Sequence, residues 1–150
     1  MALLYHDHDD LVDVRSEILK YGVSDYTIQM EESERIVNRA LDSRWYRSNA
    51  ENYGIDWRET PFDTDKMLAS SIEQIKRACV YKSLQLVYLL LAKESPEPDG
   101  FERNSETFKK LYADEINEVL TAGIDYDWDE DDEIASSEAD IPQVRRLYRV

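Results

Sequence analysis

The chain has 150 residues and a formal net charge of −15, from 33 acidic and 18 basic residues. That charge argues against a protein that grips nucleic-acid phosphates over a broad surface, and the length suits one domain that needs neither disulfides nor metal to fold. A single cysteine excludes an internal disulfide and fits a reducing compartment. The most apolar run, Leu84 to Leu91, is too short to span a membrane.

The opening MALLYHDHDD lacks the basic and long apolar segments of a signal peptide. Asp9 to Tyr21 reads as a first helix with Leu11, Val14 and Ile18 on one face and Gly22 as its stop. His6 and His8 flank Asp7, a composition a metal site could use. Their i, i+2 spacing puts them on different sides of a helix and the chain holds no other histidine, so a solvated, acidic helix start is the expectation. Asp25 to about Ser48 reads as a second helix, capped by Ser24 or Asp25. Its apolar stripe is Ile36, Val37, Ala40, Leu41 and Trp45, and Glu31 and Glu32 are spaced to pair with Arg35. A connector follows from Ala50 to Phe62, punctuated by Gly54 and Pro61. Trp45, Tyr46, Tyr53 and Trp57 gather around it. They are candidates for a subunit interface, because Trp and Tyr are favoured at binding hot spots.

The longest element is expected from Thr64 to Glu94. Alternating steps of four and three from Leu68 pass through Ile72, Ile75, Cys79, Lys82, Leu86 and Leu89, and only Lys82 breaks the apolar stripe. Asp63 or Thr64 can cap the start, and Pro96 and Pro98 lie just past the end. A second stripe, Val80, Leu84, Val87 and Leu91, makes the C-terminal half two-faced, so it should be buried inside a bundle. Cys79, on the first stripe, reads as inert core. After the break at Ser95–Gly100, Phe101 to about Ala122 reads as the last helix, with Gly123 at its C-cap and an antiparallel course against the long one.

The end of the chain is polarised. Residues 125–140 hold nine acids and no Lys or Arg, whereas residues 141–150 hold three Arg and no acid. Asp125, Asp127 and Asp129 match the first three ligand positions of a calcium loop, but Glu130 stands where the turn glycine belongs and Ser136 where the bidentate Glu belongs. Tyr126 and Trp128 are unusual for a solvated linker, which suggests that part of the stretch packs. The expected organisation is a helical bundle over 1–124, then an acidic linker and a basic docking tail over 125–150. In that tail Val144, Arg145, Arg146, Leu147, Tyr148, Arg149 and Val150 are the partner-binding candidates.

No Gly-rich phosphate loop, cysteine pair, His-Glu metal motif or Ser-His-Asp signature appears. The expectation is therefore a non-enzyme with no cofactor and no metal. The fold class expected is all-α: a small bundle of about four helices, one of them long and central, with an acidic loop and an extended C-terminal tail.

This order of elements resembles the head–tail connector adaptor, or head-completion, proteins of tailed bacteriophages. The resemblance is carried by the early helix from Asp10-Leu11, the helix with Ser33-Glu-Arg-Ile-Val-Asn-Arg-Ala-Leu41, and the aromatic loop with Tyr53 and Trp57. It continues through the long helix after Pro61 with Ala78-Cys-Val-Tyr81, the last helix and the C-terminal tail. The acidic stretch at 125–140 departs from that layout. The resemblance implies a ring, usually twelve-fold, that joins the portal protein to neck and tail completion proteins. It implies docking of the C-terminal segment on the portal, and passage of DNA through the channel without specific binding. It also implies a place in the virion neck, with assembly in the host cytoplasm and no membrane. A different class fits the charge too: an acidic DNA mimic that inhibits a nucleic-acid-binding protein. Mimics present ordered carboxylates at phosphate-like spacing, whereas here the acids concentrate in one stretch.

Overall fold

Asp7 and Asp10 close a capping box at the head of the first helix, each carboxylate accepting the other's backbone N–H. In this computed structural model, which describes residues 3–23 and 25–128, the protein is all-α and no strand forms among the described residues. Helix α1 (His8–Val14) stops at Arg15, whose backbone is extended, and a separate 3-10 turn covers Ile18–Lys20. The single helix expected over Asp9–Tyr21 is therefore two pieces. Leu11 and Ile18 are buried from either side of the break, Val14 is exposed, and the Arg15 guanidinium lies 5.2 Å from the Phe108 ring centre. Gly22, at φ +86°, ends this region, in the left-handed conformation glycine favours.

Helix α2 (Thr27–Leu41) begins after Asp25, whose carboxylate accepts the Thr27 N–H at 2.9 Å. It does not end where the second helix was expected to. It widens into a π turn (Asp42–Tyr46), in which Arg47 N–H reaches back five residues to Asp42 O, and resumes as α3 (Arg47–Asn52). Before the wide turn, Met30, Ser33, Val37 and Leu41 face the core; after it, Trp45, Tyr46, Asn49 and Ala50 do. The extra residue in the turn lets both Trp45 and Tyr46 point inward, which regular helical spacing does not favour for neighbours. Of the two ion pairs expected on α2, Arg35 holds Glu32.

The long helix starts later than expected. Asp63 does act as a cap, accepting Asp65 N–H at 2.9 Å, but it caps a 3-10 turn (Thr64–Lys66). Met67 is then extended (φ −74°, ψ 138°), and α4 runs over Ala69–Glu94. The cause is distant in sequence. The chain that follows the last helix returns to this point: Asp127 N–H donates to Lys66 O (2.8 Å), Leu68 N–H donates to Asp125 O (3.2 Å), and Met67 and Tyr126 form an isolated antiparallel bridge. The 26 residues of α4 make a rod of about 39 Å. It ends at Ser95, where Pro96 prevents continuation. Helix α5 (Asp99–Ala122) packs along α4, and Gly123 at φ +90° closes it, with its N–H on Val119 O.

The two stripes on α4 fare differently. Val80, Leu84, Val87 and Leu91 are all buried within the one subunit, in a cluster with Leu11, Ile18, Tyr26, Met30, Tyr88 and Phe108. On the first stripe Ile75 and Cys79 are buried, but Leu89 is 47% exposed. A strict four-three repeat drifts around a straight helix by about 20° per heptad, and that drift carries the end of the stripe to the surface. Lys82, which interrupts it, donates to Gln85 Oε1 at 2.9 Å and sits 4.9 Å from the Tyr112 ring centre; burial, then Lys109, lowers its pKa.

In this upper cluster the Tyr88 hydroxyl is buried without a hydrogen-bond partner among the described residues, and burial pushes its pKa up to about 12. An orphaned buried hydroxyl costs about 1–3 kcal/mol. Tyr88→Phe keeps the ring stacking on Phe108 (5.7 Å, 7°) and is expected to raise stability by about 1 kcal/mol in urea unfolding; a loss of 1 kcal/mol or more would contradict this account.

Candidate functional site

Two features stand out, a buried polar array between the two core clusters and an aromatic–arginine face at the lower end. The array is built on α2, where Ser33, Glu34 and Asn38 lie near Ser83 of α4, and it receives the N-terminal segment. Glu34 Oε1 accepts Leu4 N–H (2.7 Å), and Oε2 accepts Tyr5 N–H (3.0 Å) and lies 2.8 Å from His6 Nδ1. Tyr5 OH donates to Asn38 Oδ1. His6 Nε2 lies 2.6 Å from Ser83 Oγ, which lies 2.6 Å from Ser33 Oγ, and Ser33 also reaches Met30 O at 2.7 Å. A carboxylate that already accepts two backbone donors places a proton on His6 Nδ1. His8, in contrast, accepts Tyr26 N–H at 3.0 Å.

Burial alone would raise the Glu34 pKa; the hydrogen bonds from His6 and from the Leu4 and Tyr5 amides outweigh it and hold the carboxyl below its ordinary value. Burial, followed by Cys79 and Glu34, pushes the Tyr5 phenol well up. Burial and the nearby Glu34 push the Cys79 thiol up, which keeps it protonated and unreactive.

The order Ser83–His6–Glu34 is that of a hydrolytic triad, although no such signature was visible in the sequence. Its setting is not that of a nucleophile. Ser83 is 0% exposed in the middle of α4, and its hydroxyl is already engaged on two sides. What the array does is tie residues 4–6 to α2 through the Glu34 carboxylate and to α4 through Ser83. His6, expected to be solvated, is 5% exposed because it precedes α1 rather than lying on it. Sequence reasoning missed these residues because their partners lie 28 and 77 positions apart. No local signal marked them: Ser33 and Glu34 stand in the polar run Glu31-Glu-Ser-Glu-Arg35, and Ser83 follows Lys82.

The second feature begins from Trp45 and Tyr46. Both were interface candidates, and both are buried in the subunit's own core. There they meet Tyr126 and Trp128 from beyond α5. Trp45 is 5.8 Å from each, Tyr46 is 5.6 Å from Tyr126 and parallel to Trp128 at 5.7 Å, and Tyr53 stacks on Trp128 at 4.5 Å. Tyr126 and Trp128, which follow α5, thus pack on the same core cluster. Tyr53 is 38% exposed and Trp57 half-buried, so these two of the four candidates retain surface. Trp57 lies under two guanidiniums, Arg47 at 4.2 Å and Arg58 at 4.4 Å from its ring centre. Arg47 also holds Asp42 at 3.2 Å.

The docking candidates Val144 to Val150, and Asp129 of the calcium-like run, lie outside the described residues. Of the run's other members, Asp125 Oδ2 accepts from Ser70 Oγ at 3.0 Å, and the Asp127 backbone is bound to Lys66. No group of three His, Cys, Asp or Glu able to hold a metal occurs among the described residues. None of their helices is long and apolar enough to cross a membrane. No family model matches the chain, and neither a curated protein nor a solved structure matches it.

Proposed function

We propose that this protein is a structural adaptor of a tailed-phage virion. In this reading it forms a ring between the portal and the neck or tail completion proteins, lines the channel through which DNA passes, and docks its C-terminal residues on the portal. It works in the virion neck after assembly in the host cytoplasm, and it is not an enzyme. The order of elements and their resemblance to connector adaptors motivate the reading. A net charge of −15 suits a channel wall along which DNA must slide without sticking.

The observation that carries it furthest is the division of labour in the fold. The bundle covers Leu84, Val87 and Leu91 by itself, so the long helix needs no neighbour there. The half-buried Trp57 with its two arginines, and Tyr53, instead retain surface, and Tyr53 stacks on Trp128. Trp, Tyr and Arg that retain surface are the residue types that anchor protein interfaces. The test is assembly with the cognate portal ring, read by native mass spectrometry. The full chain is expected to bind as a ring, and deletion of residues 141–150 is expected to abolish binding. Undiminished binding by the deleted chain would overturn the docking role, and no binding by the full chain would overturn the adaptor reading.

A further inference from the structure

Four contacts join five polar groups in the buried array, and each contact needs one hydrogen. They run from Ser33 Oγ to Met30 O (2.7 Å), from Ser83 Oγ to Ser33 Oγ (2.6 Å), from His6 Nε2 to Ser83 Oγ (2.6 Å) and from His6 Nδ1 to Glu34 Oε2 (2.8 Å). Both ends of the chain accept: one is a main-chain carbonyl, the other a carboxylate that already takes the Leu4 and Tyr5 amides. Ser33 and Ser83 bring one hydrogen each, and a neutral imidazole brings one. That leaves one contact without a hydrogen. The Tyr5 hydroxyl does not supply it, since it donates to Asn38 Oδ1. The directions follow from the carbonyl end. Ser33 donates to Met30 O, so Ser83 donates to Ser33, and Ser83 Oγ is left to accept from His6 Nε2. His6 Nδ1 faces the carboxylate and must donate as well.

We propose that the array is a buried proton-binding site: in the folded protein it holds one proton more than its neutral side chains supply, and His6 carries it as an imidazolium between Glu34 and Ser83. Ordinary values of about 4.3 for a glutamate and about 6.5 for a histidine put that proton on the imidazole rather than on the carboxyl. Glu34 compensates the charge inside the fold, where the His6 and Glu34 side chains are 0% and 8% exposed. The other titratable groups set against the array are Tyr5 on the same segment, Cys79 on α4 and, past Cys79, Tyr112 on α5; burial keeps all three neutral. Without the extra proton, two acceptors would meet at hydrogen-bond distance, and residues 4–6 would lose part of their hold. The proton thus depends on Ser33, which touches neither ring nitrogen. Once the Ser33 hydroxyl is gone, Ser83 is free to turn its own hydrogen to His6 Nε2.

The test reads the two ring nitrogens of His6 by long-range proton–nitrogen NMR on the full chain at about pH 7.5, where an ordinary histidine is about nine-tenths neutral. Both nitrogens are expected to be protonated. His8, whose Nε2 accepts the Tyr26 N–H, is the internal contrast, with one bare nitrogen. Ser33→Ala is expected to make His6 a neutral imidazole with its hydrogen on Nδ1, while the amide spectrum of the bundle is kept. A bare nitrogen on His6 in the wild type would overturn the proposal, and that reading needs no variant. So would a His6 that stays doubly protonated in folded Ser33→Ala, because the Glu34 charge alone would then hold the proton. Portal binding is not read in this experiment, so its outcome leaves the adaptor reading to its own test.

Discussion

Replacing Glu34 by Ala is expected to lower the free energy of unfolding by about 3–5 kcal/mol, because it leaves His6 and the Leu4 and Tyr5 amides facing an empty acceptor site. Glu34→Gln keeps one acceptor oxygen but turns an amide NH2 toward the remaining donors, so its loss should be smaller. The residues released should be specific. Amide exchange at Leu4 and Tyr5 should accelerate in both variants, while exchange in the middle of α4 follows only the global loss. The pH dependence has a defined sign. The native carboxyl sits below its ordinary value, so its stabilisation is complete above the unfolded value of roughly 4.3 and is lost as pH falls through the lower native value. The stability gap between wild type and Glu34→Gln should therefore be constant above that range and close on the acid side. Urea midpoints taken across pH would check this. A gap under 1 kcal/mol at neutral pH would mean that the array does not hold the N-terminal segment.

A chain that ends at Ile124 is expected to lose about 3–5 kcal/mol, and a chain that ends at Trp128 to stay near the full-length value. The difference lies in Tyr126. Its ring is 2% exposed between Trp45, Tyr46 and Phe62, and its hydroxyl accepts Asp63 N–H at 3.2 Å. Burial, the largest influence, pushes the pKa of that phenol well up. Removing an aromatic ring from such a site costs roughly 3–5 kcal/mol, and Tyr126→Ala in the full chain should reproduce most of the effect. Thermal or urea unfolding of the two shortened chains decides it. Equal stability would place the end of the cooperative body at 124 after all.

Much of the helical layout was legible because it is local. The Val80–Leu91 stripe, the Pro96 stop and the Gly123 cap each depend on residues within about three turns of one another. Asp63 shows where that kind of reading ends. It was recognised as a cap, but what it caps is a single 3-10 turn, because Tyr126 pairs with Met67 from 59 positions away and holds it extended. The π turn at Asp42–Tyr46 was illegible for a related reason. Periodicity around Leu41 and Trp45 fits a plain helix, and the rings that meet Trp45 and Tyr46 in the core, Phe62, Tyr126 and Trp128, come from later segments of the chain. Interface propensity picked out Trp45 and Tyr46 by residue type, and the same large apolar rings make them core. The Ser83–His6–Glu34 array had no local pattern at all. Each member is an ordinary residue until three distant segments meet.

That meeting also sets an order of events. His6 is synthesised before Ser83, which follows it 77 residues later. At about 5–20 residues per second, the imidazole waits about 4–15 s on a nascent chain before its second partner has been made. Residues 4–6 can thus meet α2 early, but their link to α4 has to wait for Ser83. Until then residues 4–6 can be held only by Glu34 and Asn38 of α2, and Ser33 lacks its partner on α4.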